Sequence, residues 1–140
     1  MHRPRVWFSQ RYSPKSKWCR SDQPGYDAYL PTGEGIGSGA SNTNLIIEKC
    51  GSATGFAYAA GLAAAYRGGD KSDWFLPSLD ELAKMCDRRS EVGGLSEDSY
   101  WSSSQKDNFS YNASYVFFGN CGRLSDAKDD GVFVRPVRAF

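Results

Sequence analysis

Tyr100-Trp101-Ser102-Ser103-Ser104 and Val132-Phe133-Val134-Arg135-Pro136-Val137-Arg138-Ala139-Phe140 are the two stretches that decide the fold. Aromatic, β-branched and hydroxyl residues dominate both, a composition suited to strands on a half-buried pleated surface. Between them lies a segment of different make-up, residues 107–131. The flanking stretches read as frame and the segment between them as a presented surface.

Working outward, Val6-Trp7-Phe8-Ser9 reads as a short opening strand. Single domains commonly bring their termini together, so this strand is expected to pair with the closing one. Residues 21–41, rich in Pro, Gly and Ser, read as turns and loop. Asn42 and Thr43 then cap a turn or two of helix over residues 44–49. Residues 52–66 are Ala-rich with helical spacing and stop at Gly68-Gly69, with Gly55 and Gly61 read as packing positions. Asp73-Trp74-Phe75-Leu76-Pro77 is extended, because a proline disfavours helix in the residue before it. Ser78 and Glu81 form a capping box for a helix running to about Arg89, with Leu79, Leu82, Met85 and Cys86 on its core face. Beyond Gly93-Gly94 the chain returns to strands. In Tyr115-Val116-Phe117-Phe118, Val116 and Phe118 share one face and Tyr115 and Phe117 the other, leaving one aromatic pair free for solvent or a ligand. The expected fold is α+β, with two helices, a small antiparallel sheet and paired terminal strands.

Size and charge narrow the function classes. A chain of 140 residues with 40% hydrophobic content builds one core, so residues 1–140 form one domain. A formal charge of +1 creates no field that argues for nucleic acid. Residues 1–20 do hold Arg3, Arg5, Arg11, Lys15, Lys17 and Arg20 with no acidic residue, which reads as a solvated or subunit-contacting tail. No run approaches the roughly twenty apolar residues of a membrane span, and Met1-His2-Arg3-Pro4 opens no signal-peptide hydrophobic run, so any export signal is expected to be missing or to lie upstream.

Cys19, Cys50, Cys86 and Cys121 stand singly, without the close pairs of a zinc or redox motif. Two disulfides are possible in an oxidising compartment, with three connectivities, but the spread favours free, buried thiols. His2 is the only histidine, so a Ser-His or Cys-His arrangement lacks a base. The glycines of Gly33-Glu34-Gly35-Ile36-Gly37 lack the strand and lysine of a phosphate loop. Asp126, Asp129 and Asp130 lack the bidentate Glu of an EF-hand. Arg135 and Arg138 read as structural partners of acids or carbonyls, and Trp74 and Trp101 as core. No enzymatic activity, metal or cofactor is expected.

Four motifs occur in order: Gly35-Ile36-Gly37-Ser38-Gly39-Ala40-Ser41-Asn42-Thr43, Asp73-Trp74-Phe75-Leu76-Pro77-Ser78-Leu79-Asp80-Glu81-Leu82, Tyr100-Trp101-Ser102-Ser103-Ser104 and Val134-Arg135-Pro136-Val137-Arg138. Together they resemble the Lcl C-terminal domain family of bacteria and phages, over about residues 35–140; residues 1–34 match no part of it. The resemblance implies a C-type-lectin-like fold and a role in binding and display, as in adhesins and the variable proteins of diversity-generating retroelements. In such systems error-prone copying turns AAC codons into NNC codons, which cannot encode Lys, Glu, Gln, Met or Trp. Residues 107–131 contain one of these five types, Lys128, whereas the 106 residues before them contain twenty. The implied variable ligand-binding set is Asp107, Asn108, Phe109, Ser110, Tyr111, Asn112, Ser114, Tyr115, Phe117, Asn120, Cys121, Arg123, Ser125, Asp126, Asp129 and Asp130. Ala113, Val116, Phe118, Gly122, Leu124 and Lys128 interleave as scaffold, an alternation expected to place the variable set on one face.

The residue types agree with that implication. Tyr and Phe give large contact area with few rotatable bonds, and Ser and Asn give adaptable hydrogen bonding, the mixture of antibody paratopes. The expected partner is a protein or glycan receptor on a cell surface, and the expected location extracellular, on a cell surface or a virion. The alternative is a fixed-specificity bacterial or phage adhesin that binds sulfated or other glycans, as a trimer. The calcium motifs of sugar-binding C-type lectins are absent. The formylglycine-generating oxidases, a distant alternative, resemble a redox or copper-binding cysteine pair near the C-terminus, where Cys121 stands alone.

Overall fold

The computed structural model describes residues 6–8, 14–51, 58–92, 95–105 and 111–139. Its architecture is α+β and compatible with a C-type-lectin-like fold. Strands β1 (Val6–Phe8) and β2 (Lys15–Ser16) precede helices α1 (Gly39–Cys50), α2 (Ala59–Ala65), α3 (Leu79–Asp87) and α4 (Arg89–Val92). Strands β3 (Ser99–Gln105), β4 (Asn112–Phe117), β5 (Gly122–Ala127), β6 (Val132–Phe133) and β7 (Val137–Ala139) follow. The order β2-β6-β3-β4-β5 forms one sheet, and β1 pairs with β7 in a second.

The terminal strands pair as the sequence suggests, antiparallel, with Val6 opposite Ala139 and Phe8 opposite Val137. The closing stretch is nevertheless two strands. Pro136 has no amide to donate, and the chain changes sheets across residues 134–136. The five-stranded sheet is mixed, since β6 meets β3 in parallel at Tyr100 and Phe133. The helices number four among the described residues where the sequence suggested two.

The sheet is covered on both faces. Trp18, Leu30, Ile46, Ala60, Leu76, Trp101 and Ala113 form one core cluster with α1 and α2. Phe75, Leu82, Met85, Tyr100, Val116 and Phe118 form the other under α3. This double covering explains why residues 100–105, a serine-rich strand, are all buried.

Capping separates the helices that the sequence defined well from those it did not. At α3 the Ser78 hydroxyl accepts from the Glu81 amide at 3.3 Å, and the Glu81 carboxylate accepts from the Ser78 amide at 2.8 Å. Helix α1 instead begins three residues before Asn42, and neither Asn42 nor Thr43 is a cap. Both point into the core: Asn42 bonds the Gly33 backbone twice and donates to the Ser103 hydroxyl. Thr43 accepts from the Leu76 amide at 3.0 Å. The Ala-rich helix is seen from Ala59, with Gly61 buried within it; Gly55 lies outside the described residues.

The expectation of free thiols is overturned. Cys19 bonds Cys50 and Cys86 bonds Cys121, across separations of 31 and 35 residues. Closing loops of that size constrains the unfolded chain by about 3–4 kcal/mol each. The arginines act structurally: Arg138 grips Asp73 through Nε at 2.6 Å and Nη2 at 3.0 Å, and Arg135 is buried. Trp74 and Trp101 are core.

Gly39, at the start of α1, packs where α1 meets α3 and the strand-like segment at Phe75. A Cβ there would lie 2.7 Å from the Phe75 ring and against the Glu81 carboxylate. Gly39→Ala is therefore expected to lower unfolding free energy by about 2 kcal/mol through overpacking, read as a lower urea midpoint at unchanged slope.

Candidate functional site

The surface in question is carried by the β4–β5 hairpin and the loop behind it. Six residue pairs join the two strands, from Asn112 opposite Ala127 to Phe117 opposite Gly122. By strand alternation Ala113, Tyr115 and Phe117 share a face with Leu124 and Asp126, while Asn112, Ser114 and Val116 share the opposite face with Arg123 and Ser125.

The expected single variable face is thus corrected: its members divide between both sides of the hairpin. On the front, Tyr111 is 54% exposed, and Tyr115 and Phe117 are half-buried. On the back, Arg123 reaches α3 and pairs with Asp80 at 2.7 Å, above a shallow groove of about 620 Å³ that Ile36, Lys84, Arg88 and Glu91 also line. Ser114 is 5% exposed, and its carbonyl accepts the Ser102 hydroxyl, so it is covered rather than presented. Asn120 and Cys121 lie at the far turn. Asn120 accepts from the Gly122 amide at 2.8 Å, and Cys121 is tied to Cys86, which removes it as a free contact residue. Asp107, Asn108, Phe109 and Ser110 lie outside the described residues.

Of the six interleaved residues, Ala113, Val116, Phe118 and Lys128 are 0% exposed. Gly122 at the turn is partly exposed, and Leu124 is 50% exposed and opposite Tyr115, so Leu124 belongs to the front face. Tyr26 also belongs there. Its ring meets Tyr111 edge-on at 5.6 Å, yet it comes from the loop before α1. The sequence reading placed Leu124 in the scaffold, although period-two alternation from Asp126 puts it on the same face; no local signal points to Tyr26.

The front face is tyrosyl and acidic. Tyr26 titrates above the ordinary tyrosine range because of its burial and the neighbouring Asp129 carboxylate. Tyr115 is likewise raised, by burial and by Asp126. Asp130 is raised above the ordinary carboxylate range, first by its hydrogen bond with Asp126, then by burial and the charges of Asp126 and Asp129. Among the described residues no lysine or arginine forms a salt bridge with these three carboxylates. Among the same residues, no group of three or more His, Cys, Asp or Glu side chains could hold a metal ion.

Lys128 fixes this face from beneath. Its ammonium donates to the Gly25 carbonyl at 2.8 Å, the Ala28 carbonyl at 3.0 Å and Gln105 Oε1 at 3.2 Å, and lies 5.0 Å from the Trp18 ring centre. Its backbone amide donates to the Tyr111 carbonyl at 2.8 Å. The same residue therefore holds the Tyr26-bearing loop and the Tyr111 end of the hairpin together.

No known protein family's sequence profile matches the chain, and no curated protein matches it. No helix among the described residues is long and apolar enough to cross a membrane.

Burial lowers the Lys128 pKa from 10.5 to about 8, against an upward pull from Asp27. Between those values the unfolded chain holds the extra proton, so stability rises with pH from about 8 toward 10. Tyr58, raised by burial from 10.0 to about 12, reverses the trend above pH 10, where the unfolded chain loses its proton first. Thermal melts across pH 7–11 are expected to show this rise and fall. Lys128→Met, which strands buried carbonyl acceptors, is expected to cost about 3 kcal/mol and to abolish the rise.

Proposed function

We propose that this chain is a C-type-lectin-like binding domain whose β4–β5 hairpin and following loop form a receptor-contacting face diversified by a retroelement. The observation that carries the reading is a division by burial. Within residues 111–130 the interleaved Ala113, Val116, Phe118 and Lys128 are fully buried, whereas Tyr111, Tyr115, Phe117, Asp126, Asp129 and Asp130 reach the surface. The lone residue of a type that an NNC codon cannot encode is the buried lysine, where variation would undo the fold.

The chemistry of the face supports a protein receptor. Tyr26, Tyr111 and Tyr115 are rigid amphipathic anchors that bind without ordering long side chains. The carboxylates of Asp126, Asp129 and Asp130 favour a receptor surface that presents lysine or arginine. Two disulfides fit an extracellular, cell-surface or virion location, since such bonds persist in oxidising compartments.

The coding DNA tests the diversification directly. NNC codons are expected at Tyr111, Asn112, Tyr115, Phe117, Arg123, Ser125, Asp126, Asp129 and Asp130, with a near-copy template beside a reverse transcriptase gene. Mixed third bases at these positions would leave a fixed-specificity adhesin in its place. A protein-level test follows from the burial pattern: NNC libraries at Tyr111, Asp129 and Asp130 should remain folded in nearly every clone. The same libraries at Ala113, Val116 and Phe118 should mostly unfold, by roughly 2–5 kcal/mol per core truncation or overpacking.

A further inference from the structure

We propose that the Cys86–Cys121 disulfide is a thiol-exchange site, opened by a small thiol of the glutathione class in preference to Cys19–Cys50. The two bonds have different surroundings. Cys19 and Cys50 are both 0% exposed, and the backbone at Gly25 lies so close that a Cβ there would stand 2.7 Å from the Cys50 sulfur. An attacking thiol has no room on that side. Cys86 is buried too, but its partner Cys121 is partly exposed at the β4–β5 turn, where the chain adopts φ of 60°.

The second difference is a cation. Arg89 places Nη1 3.1 Å from the Cys121 sulfur and 3.7 Å from the Cys86 sulfur, and the same nitrogen is anchored to the Cys86 carbonyl at 2.7 Å. A guanidinium beside sulfur stabilises thiolate over thiol. Stabilising the leaving thiolate speeds its departure in exchange. No corresponding cation–sulfur contact is found at Cys19 or Cys50 among the described residues.

The chemistry runs in two displacements. An external thiolate attacks the Cys121 sulfur; the new sulfur–sulfur bond forms as the Cys86–Cys121 bond breaks, and the electron pair leaves on the Cys86 sulfur beside Arg89. A second external thiolate attacks the first thiol's sulfur in the mixed disulfide and releases Cys121. Two external thiols become one external disulfide, and their two protons balance those taken up by Cys86 and Cys121. The result removes the covalent tie between the β4–β5 turn and α3, leaving the Arg123–Asp80 ion pair there and Lys128 at the opposite end of the hairpin.

The test uses the full chain under native conditions with graded reduced glutathione, timed quenching with iodoacetamide and peptide mass mapping. Cys86 and Cys121 are expected to be labelled about tenfold faster than Cys19 and Cys50. Arg89→Gln should slow their labelling by about tenfold, and Arg89→Lys should restore most of it. Equal rates for the two pairs, or earlier opening of Cys19–Cys50, would overturn the proposal in the wild-type chain alone. Unchanged or faster opening in Arg89→Gln would also overturn it, because Arg89 would then serve only as a clamp on the Cys86 carbonyl.

Discussion

A buried ammonium is the constraint on which the rest of the hairpin end of the molecule depends. Lys128 is 0% exposed, and a charge held away from water is tolerated only where oxygen atoms replace its hydration. Gly25, Ala28 and Gln105 supply those oxygens from two segments remote in sequence from Lys128. The requirement runs in both directions. The carbonyls of Gly25 and Ala28 belong to a loop with no strand ladder to satisfy them, and a single long side chain reaches both. Gln105 completes the arrangement by accepting from the Leu30 amide and donating to the Ala28 carbonyl. The loop carrying Tyr26 is consequently fixed by polar contacts to β3 and to Lys128 just after β5, and Tyr26 meets Tyr111 as a result.

The serines of β3 extend the same principle through the core. Strand pairing between β3 and β4 shifts register between Trp101 and Gln105, which frees backbone groups inside the protein. Hydroxyls take them up: Ser102 donates to the Ser114 carbonyl and accepts from the Ser104 amide, and Ser104 donates to the Gly33 carbonyl and accepts from the Leu79 amide. Apolar residues would fill the same volume but leave those groups unsatisfied. The strand thus positions the start of α3 and the loop before α1 at once, which a purely apolar strand could not do.

What could be read in advance follows the range of each interaction. The capping box at Ser78 and Glu81, the core stripe of α3 and the alternation of Val116 and Phe118 depend on neighbours a few residues away, and each is legible from spacing. The pairing of the terminal strands came from a general tendency of single domains. The cysteine pairs did not follow from spacing, because their partners lie 31 and 35 residues apart and are brought together by tertiary packing. Asn42 and Thr43 depart from expectation for a similar reason: as helix caps they satisfy a local rule, yet the tertiary partners Gly33, Ser103 and Leu76 claim them. At the candidate site, Tyr111, Tyr115 and Phe117 were identifiable from composition, but the split of the set between two faces required the hairpin register. Tyr26 required the Lys128 contact that carries its loop.

The fastening of the hairpin explains how such a surface can tolerate change. Among the described residues β5 is the sheet's edge strand, and its outer side meets no neighbouring strand there. One end of the hairpin is fastened at Cys121 and the other at Lys128, and the ladder between them consists of backbone hydrogen bonds. The side chains that point inward, Ala113, Val116 and Phe118, complete the core. None of these contacts uses the exposed rings and carboxylates of Tyr111, Asp129 or Asp130. Their own contacts are with one another, with Asp126 and with Tyr26, so changing them leaves the disulfide, the Lys128 contacts and the ladder in place, and surface substitutions of this kind cost little. On the proposed reading such a face separates affinity from stability: the covalent and buried polar anchors fix where the backbone runs, and the exposed positions are left to meet a partner.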